Sequence, residues 1–336
     1  MIQNLTAFKE LVNKKHKGVI VTHRNPDGDA LGASLAWMFY LRKKGNDINF
    51  ISPTNYTQNL KWINGVEETI IFENEMGSKM ATSLIQGADV IYCLDFNAIS
   101  RLESLGELIA GSKAQKVMID HHQQPEDFAS LMFSDTGYGA TAEMIFDLID
   151  GMGDADMIDT EIATNLYTGL ATDTGFFQFN NATPNVYKVA MELVKRGASP
   201  EYISEKVNNV FHLNRLRYFG YCLNEKLKLV KNGKVAYMML SQAEIKRFNL
   251  QAGDSEGLVN YLFKIEGVKV AVYFSEEPEK VKISFRSRGT IDVNTFARQY
   301  FEGGGHRNAS GGKSHLDMKQ TEKKFLDALE TLDINQ

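Results

Sequence analysis

The chain has 336 residues, 43% of them hydrophobic and 24% charged, ordinary proportions for a soluble globular protein and a length that favours two domains over one. A formal net charge of −5 and a pI of about 5.9 exclude a protein that coats long duplex nucleic acid by phosphate neutralisation alone, although a local cationic patch could still take small anions. Cys93 and Cys222 stand in no paired metal-binding spacing, which leaves disulfide scaffolds and structural zinc without support and makes both thiols candidate core residues.

The opening MIQNLTAFKELVNKKHKG lacks the apolar stretch of a signal peptide, and no run approaches the roughly 18 residues of a membrane span, so a cytoplasmic protein without a membrane partner is expected. Residues 5–16 place Leu5, Phe8, Leu11 and Val12 on one helical face, and residues 18–22 read as a buried strand. That strand runs into His23-Arg24-Asn25-Pro26-Asp27-Gly28-Asp29, after which residues 30–44 have helical spacing and stop at Gly45, a C-cap residue. Short strands recur at 48–52, 89–94 and 116–119 between polar loops and helical stretches such as 101–109, an alternation that predicts an α/β domain with a mostly parallel sheet. Ligands of such sheets bind beyond the carboxyl ends of the strands. The residues there are His23 to Asp29, then Asp95, then Asp120-His121-His122, so three loops are expected to converge on one crevice. Helices at 140–152 and 161–171 follow, and the second leads to Asp173, a fourth candidate. The nearly all-helical stretch that begins at Pro184, with Tyr187, Ala190, Val194, Ile203, Val207 and Val210 at core spacing, reads as a connector. Strands at 235–240, 268–274 and 281–286, a helix at 294–301, the run Gly303-Gly304-Gly305-His306 and an amphipathic final helix at 318–332 predict a second, smaller α/β domain. The expected division is 1–184, 185–228 and 229–336.

Each candidate has an ordinary explanation when taken alone. A single histidine after a strand is more often hydrogen-bonded than ligating, Asp29 could cap its own helix, Asp95 and Asp173 could be turn residues, and a glycine run could be a flexible loop. Together they weigh differently: His23, with Asp27 and Asp29 four and six residues on, presents three ligand atoms from one segment tightened by Pro26 and Gly28. Carboxylates and imidazoles without thiolates suit manganese, magnesium or iron(II) better than structural zinc.

The ordered pattern His23-x-x-Pro26-Asp27-x-Asp29-Ala30, Asp95, Asp120-His121-His122, Asp173 and Gly303-Gly304-Gly305-His306-x-x-Ala309-Ser310-Gly311 resembles the DHH phosphoesterase family, in the subgroup with the first type of DHH-associated domain, over about residues 15 to 315. The resemblance implies two divalent cations, manganese first, with magnesium or iron(II) as alternatives. His23 and Asp27 would hold one, Asp29, His121 and Asp173 the other, and Asp95 would bridge both. It further implies that His122 contacts the phosphate or protonates the leaving oxygen, and that Asp120 lies behind the histidines and orients them. Arg286, Arg288, His306, Ser310 and the amides of Gly304 and Gly305 would hold the remote part of the substrate in a cleft between the two domains, and Arg101 matches another basic position of the family. The branch resembled most cleaves oligonucleotides of a few residues to nucleoside 5′-monophosphates and removes the 3′-phosphate of 3′-phosphoadenosine 5′-phosphate (pAp). Its partners would be short single-stranded oligonucleotides and nucleotides, and a homodimer is one assembly left open by the sequence. The alternatives are hydrolysis of a cyclic dinucleotide or of pApA and, in a different class, a non-catalytic nucleotide sensor, against which stands the occupation of every metal-ligand position by Asp or His. Tyr138, Phe176, Phe177 and Phe179 could stack on a base, but core packing is their default.

Overall fold

The computed structural model describes residues 5–209, 212–250 and 253–334, and the chain divides into two compact units between residues 210 and 211. No helix among the described residues is long and apolar enough to cross a membrane.

The first unit is built on strands β1 (Lys17–Val21), β2 (Asp47–Ser52), β3 (Ile70–Ile71), β4 (Val90–Leu94), β5 (Gln115–Asp120) and β6 (Leu131–Ser134), in the spatial order β3-β2-β1-β4-β5-β6 with every pairing parallel. Its helices are α1 (Leu5–Asn13), α2 (Gly28–Lys43), α3 (Glu75–Gly87), α4 (Ser104–Gly111), α5 (Thr141–Gly151), α6 (Thr160–Asp173), α7 (Pro184–Lys195) and α8 (Pro200–Ser204). Alternate residues of a strand face opposite sides of a sheet. Ile20, Phe50 and Tyr92 accordingly enter the core formed with α1, α2, α5, α6 and α7, whereas Val19, Val21, Ile51, Ile91 and Cys93 pack under α3 and α4. Helices cover both faces, which is why the strands read as near-continuous apolar runs. Strand order reverses direction between β1 and β4, the topological switch point at which sheets of this kind bind ligands.

Helix α2 is buried over nearly its whole length and lies tightly against α6. The approach depends on Gly32 and Gly169: a Cβ at Gly32 would stand 2.4 Å from Asn165 O, and one at Gly169 would stand 2.6 Å from Asp29 Oδ1. Elements 70–71, 75–87 and 131–134 were not expected from the sequence. The first is two residues long, and the second has glycines at its third and last positions, Gly77 and Gly87, that blur its period. In α7 the buried residues are Val186, Val189, Ala190 and Leu193, whereas Tyr187 and Val194, expected in the core, are 52% and 42% exposed. Apolar residues line this helix on two sides, so two phases of a 3.6-residue period fit it equally well. Ile203 is buried and Val207 packs against the same core; Val210 lies outside the described residues.

The second unit has strands β7 (Lys228–Val230), β8 (Val235–Leu240), β9 (Val270–Glu276), β10 (Val281–Ser287), β11 (Gly304–His306) and β12 (Ala309–Ser314), ordered β11-β12-β10-β9-β8-β7; β8 and β9 are parallel and the other pairs antiparallel. Helices α9 (Val293–Phe301) and α10 (Met318–Ala328) cover one core, in which Phe274, Phe285, Phe301 and Phe325 are buried. On the other face, Tyr218, Phe219 and Cys222 of the helical stretch 213–226 pack with Leu258 and Val259. The helices between residues 184 and 228 are thus shared out, α7 and α8 with the first unit and 213–226 with the second.

Candidate metal centre

At the end of β1, His23 is buried and its Nδ1 lies 2.8 Å from Arg24 O. If that nitrogen carries the proton, the Nε2 lone pair is left to face Asp95 Oδ2 at 3.4 Å and Asp27 Oδ2 at 3.9 Å. The loop is braced by Arg24 N donating to Arg101 O (3.0 Å) and by Asn25 N, on a residue with φ of 52°, donating to Thr54 Oγ1 (2.8 Å). Asp27, rather than Asp29, caps α2, its Oδ1 accepting from the amides of Asp29 (3.0 Å) and Ala30 (3.1 Å). Asp29 instead crosses to another helix. Its Oδ2 and Oδ1 accept from the amides of Thr141 (2.6 Å) and Ala142 (2.9 Å) at the head of α5, whose own N-cap residue, Ala140, has no side chain to offer.

At the end of β4, Asp95 occupies the left-handed region with φ of 65°, a conformation costing on the order of 1–3 kcal/mol for a non-glycine residue and common at functional sites. It is 2% exposed, and its Oδ1 accepts from Thr141 Oγ1 at 2.8 Å. Beyond β5, His121 Nδ1 lies 3.1 Å from Tyr138 O, which directs Nε2 at Asp173 Oδ2 (3.3 Å), Asp95 Oδ1 (3.7 Å) and Asp29 Oδ2 (3.9 Å). His122 Nδ1 is hydrogen-bonded to Asp120 Oδ1 at 2.7 Å, and Asp120 is fully buried. The donor atoms of His23, Asp27 and Asp95 lie within 4.8 Å of one another, as do those of Asp29, His121 and Asp173.

Electrostatics identify the kind of group that fits. Burial pushes the Asp29 carboxyl well above its ordinary pKa, and the neighbouring carboxylates of Asp95 and Asp173 push it further. Burial alone would lower the pKa of His23 and His121, yet the surrounding aspartates outweigh it and raise both. Asp95 runs the other way: burial opposes ionisation, but the imidazoles of His23, His122 and His121 beside it hold its carboxyl well below the usual range. An assembly that attracts positive charge this strongly suits a cation. Ligands about 2.0–2.2 Å from one ion stand about 3.0 Å apart in an octahedral arrangement and about 3.4 Å apart in a tetrahedral one. The imidazole-to-carboxylate separations of 3.3–3.9 Å are close to that spacing. Four carboxylates, those of Asp27, Asp29, Asp95 and Asp173, would balance two dications.

Sequence reasoning did not reach Thr141, the Tyr138 carbonyl or Asn181, whose Nδ2 donates to Gly139 O (2.9 Å) and Asp173 O (3.2 Å). The one available signal was a buried helix start without a capping side chain, since such a helix needs an acceptor from elsewhere. Arg101 closes a short 3₁₀ turn, Ile99–Leu102; its Nε is buried without an acceptor among the described residues, and its charge opposes protonation of His23. Tyr138, Phe176 and Phe177 pack against the core as the default reading has it, and Phe179 is 42% exposed.

In the second unit the glycine run is an edge strand rather than a loop, paired through Gly304, Gly305 and His306 with β12. A Cβ at Gly305, where φ is +141°, would stand 2.7 Å from Ala309 O. Ser310 is buried and its hydroxyl donates to Val293 O (2.8 Å). Arg286 donates to Phe285 O (2.9 Å), while Arg288 donates to Phe263 O (2.9 Å) and lies over the Phe263 ring.

Comparison with known proteins gives consistent results. Residues 17–170 match the DHH family, N-terminal domain, and residues 232–333 match the DHHA1 domain. The bifunctional oligoribonuclease and PAP phosphatase NrnA of Bacillus subtilis is 30% identical over 87% of this chain and 88% of its own length. The protein of the same name from Thermus thermophilus is 31% identical over 92% and 88%. The crystal structure of an exopolyphosphatase-related protein from Bacteroides fragilis superposes with a TM-score of 0.92 at 38% identity, covering 98% of this chain and 96% of that one.

Proposed function

This chain belongs to the DHH family and carries a DHHA1 domain, and from that premise we propose that it is a two-metal phosphoesterase that degrades oligonucleotides of a few residues to nucleoside 5′-monophosphates and removes the 3′-phosphate of pAp. The observation that carries the reading is the donor set at the switch point, in which two buried imidazoles, His23 and His121, turn Nε2 toward aspartates 3.3–3.9 Å away. His23 and Asp27 would hold one cation, Asp29, His121 and Asp173 the second, and Asp95 both, with manganese first and magnesium or iron(II) as alternatives. Two such ions supply a water acidic enough to ionise near neutral pH and positive charge opposite the phosphoryl oxygens. With Nδ1 held on Asp120, His122 would use Nε2 to contact the phosphate or to give a proton to the leaving oxygen, and the Asp120 carboxylate would stabilise the imidazolium that this requires. Arg101, with its buried guanidinium nitrogen, would meet the substrate from the first unit. Arg286, Arg288, Gly304, Gly305, His306 and Ser310 would serve the remote phosphate or ribose from the second, giving a substrate range of short single strands and nucleotides in the cytoplasm.

The test is turnover with Mn²⁺ of pAp, a dinucleotide, a five-residue RNA, c-di-AMP and pyrophosphate, alongside the Asp95→Ala variant. The dinucleotide and pAp should be cleaved fastest and the variant should be inactive. Preference for c-di-AMP would move the protein to cyclic-dinucleotide hydrolysis, and binding of nucleotides with no turnover of any substrate would make it a sensor.

A further inference from the structure

A carboxylate that faces two cation sites can present one oxygen to each, and the rotation that decides this is the last torsion of the side chain. For aspartate that torsion is broad and poorly fixed by sterics. Asp95 points Oδ2 toward His23 and Oδ1 toward His121, so something has to hold the carboxylate plane. The Thr141 hydroxyl is the group in place to do so: it is fully buried and donates to Asp95 Oδ1 at 2.8 Å. The same turn carries the other supports of the site. The Tyr138 carbonyl orients His121, the amides of Thr141 and Ala142 grip both oxygens of Asp29, and Gly139 O shares Asn181 Nδ2 with Asp173 O. Gly139 N is itself anchored on Glu143 Oε2 at 2.7 Å, and Asn185 steadies Glu143 Oε1 from α7 at 2.7 Å.

We propose that Thr141 is the positioning residue of the metal centre, setting the rotation of Asp95 from a turn, residues 138–142, that fixes Asp29 and His121 at the same time. The inference rests on the two-metal reading above. Its test needs no substrate: manganese is titrated calorimetrically into the metal-free full chain and into the Thr141→Val and Thr141→Ser variants, and each is melted in chelator. Valine keeps the shape and removes the donor, so affinity for at least one ion should fall roughly 10- to 100-fold. Serine restores the donor and should restore the affinity, and the melting temperatures in chelator should differ less than those in manganese. Wild-type affinity in Thr141→Val would overturn the inference, as would equal weakening by valine and serine, which would mark a packing role instead. If the valine variant does not fold, Thr141→Ala removes the same hydroxyl and is titrated in its place. The two readings fail separately: a wild type that binds two ions yet hydrolyses nothing sinks the phosphoesterase proposal but leaves a weakened valine variant in support of Thr141.

Discussion

Replacing Asp173 by asparagine should make the metal-free protein more stable and the manganese-loaded protein less so. Asp29 and Asp173 have carboxylate oxygens within 4.8 Å of each other, with side-chain exposures of 1% and 20%. At an effective dielectric constant of about 20, two full charges at that distance repel by about 3.5 kcal/mol. Asp29 escapes part of this by holding its proton, its pKa being raised by burial and by the carboxylates of Asp95 and Asp173, so a gain of about 1–3 kcal/mol is the reasonable range. For units of this size each kcal/mol moves the melting temperature by about 2–4 °C. The sign with pH follows from the same shift. A carboxyl whose pKa rises on folding contributes its stability below the unfolded value and loses it as the pH climbs through the raised one. The metal-free wild type should therefore weaken toward neutral pH, and the variant should weaken less. Manganese reverses the ranking, because at a hundredfold excess over its dissociation constant one bound ion adds about 2.7 kcal/mol to the wild type, and the variant loses an anionic ligand. The assay is thermal unfolding of both proteins in chelator and in saturating Mn²⁺ across a pH series. A variant that melts at or below the wild type in chelator would refute the repulsion argument, and equal stabilisation of both by manganese would remove Asp173 from the ligand set. The backbone oxygen of Asp173, which accepts from Asn181, is untouched by the substitution.

Asp120→Asn should lower kcat by about 10²- to 10⁴-fold, the usual worth of a positioned proton donor, and leave the manganese stoichiometry intact; loss of metal instead would make Asp120 a ligand. Gly169→Ala would place a Cβ 2.6 Å from Asp29 Oδ1 and 2.8 Å from Ala142 Cβ, so overpacking should cost about 1–3 kcal/mol in unfolding experiments and weaken manganese binding; an unchanged titration would show that Asp29 has room to move. In the second unit, burial opposes ionisation of Glu244, but Lys226, Tyr221 and Ser241 together push its pKa down to about 2. A carboxylate with a depressed pKa gives stability above its ordinary 4.5 and loses it as the pH falls toward the depressed value. Glu244→Gln should flatten the acid limb of urea stability below about pH 4.5, and a limb as steep as the wild type's would assign acid sensitivity to other groups.

The parallel sheet was legible because strands covered on both faces are apolar throughout, and because the polar residues that interrupt them at their carboxyl ends are few and chemically distinctive. His23 and Asp95 stand just beyond such strands, and Asp120 ends one with His121 and His122 directly after it, so the order of the loops in sequence sufficed to predict their convergence. Elements without that contrast were lost. Helix α3 has glycine near each end, and α7 carries apolar residues on two faces, so that Tyr187 was assigned to the core although half of it is exposed.

The supports of the site were illegible for a different reason. Thr141 meets Asp29 and Asp95 across 112 and 46 residues of sequence, a pairing that no local period encodes. More of the support comes from main-chain groups, namely the carbonyls of Arg24 and Tyr138 and the amides of Thr141 and Ala142, and a peptide group looks the same under any side chain. What the sequence does record is an omission. Helix α5 begins fully buried behind Ala140, with no Ser, Thr, Asp or Asn at its N-cap, so its first amides had to find an acceptor on another element. Asp29 is that acceptor, and both its oxygens are held at the centre of the cluster. The same bonds that complete the helix also restrain a carboxylate proposed as a metal ligand, which ties the folding of α5 to the geometry of the site.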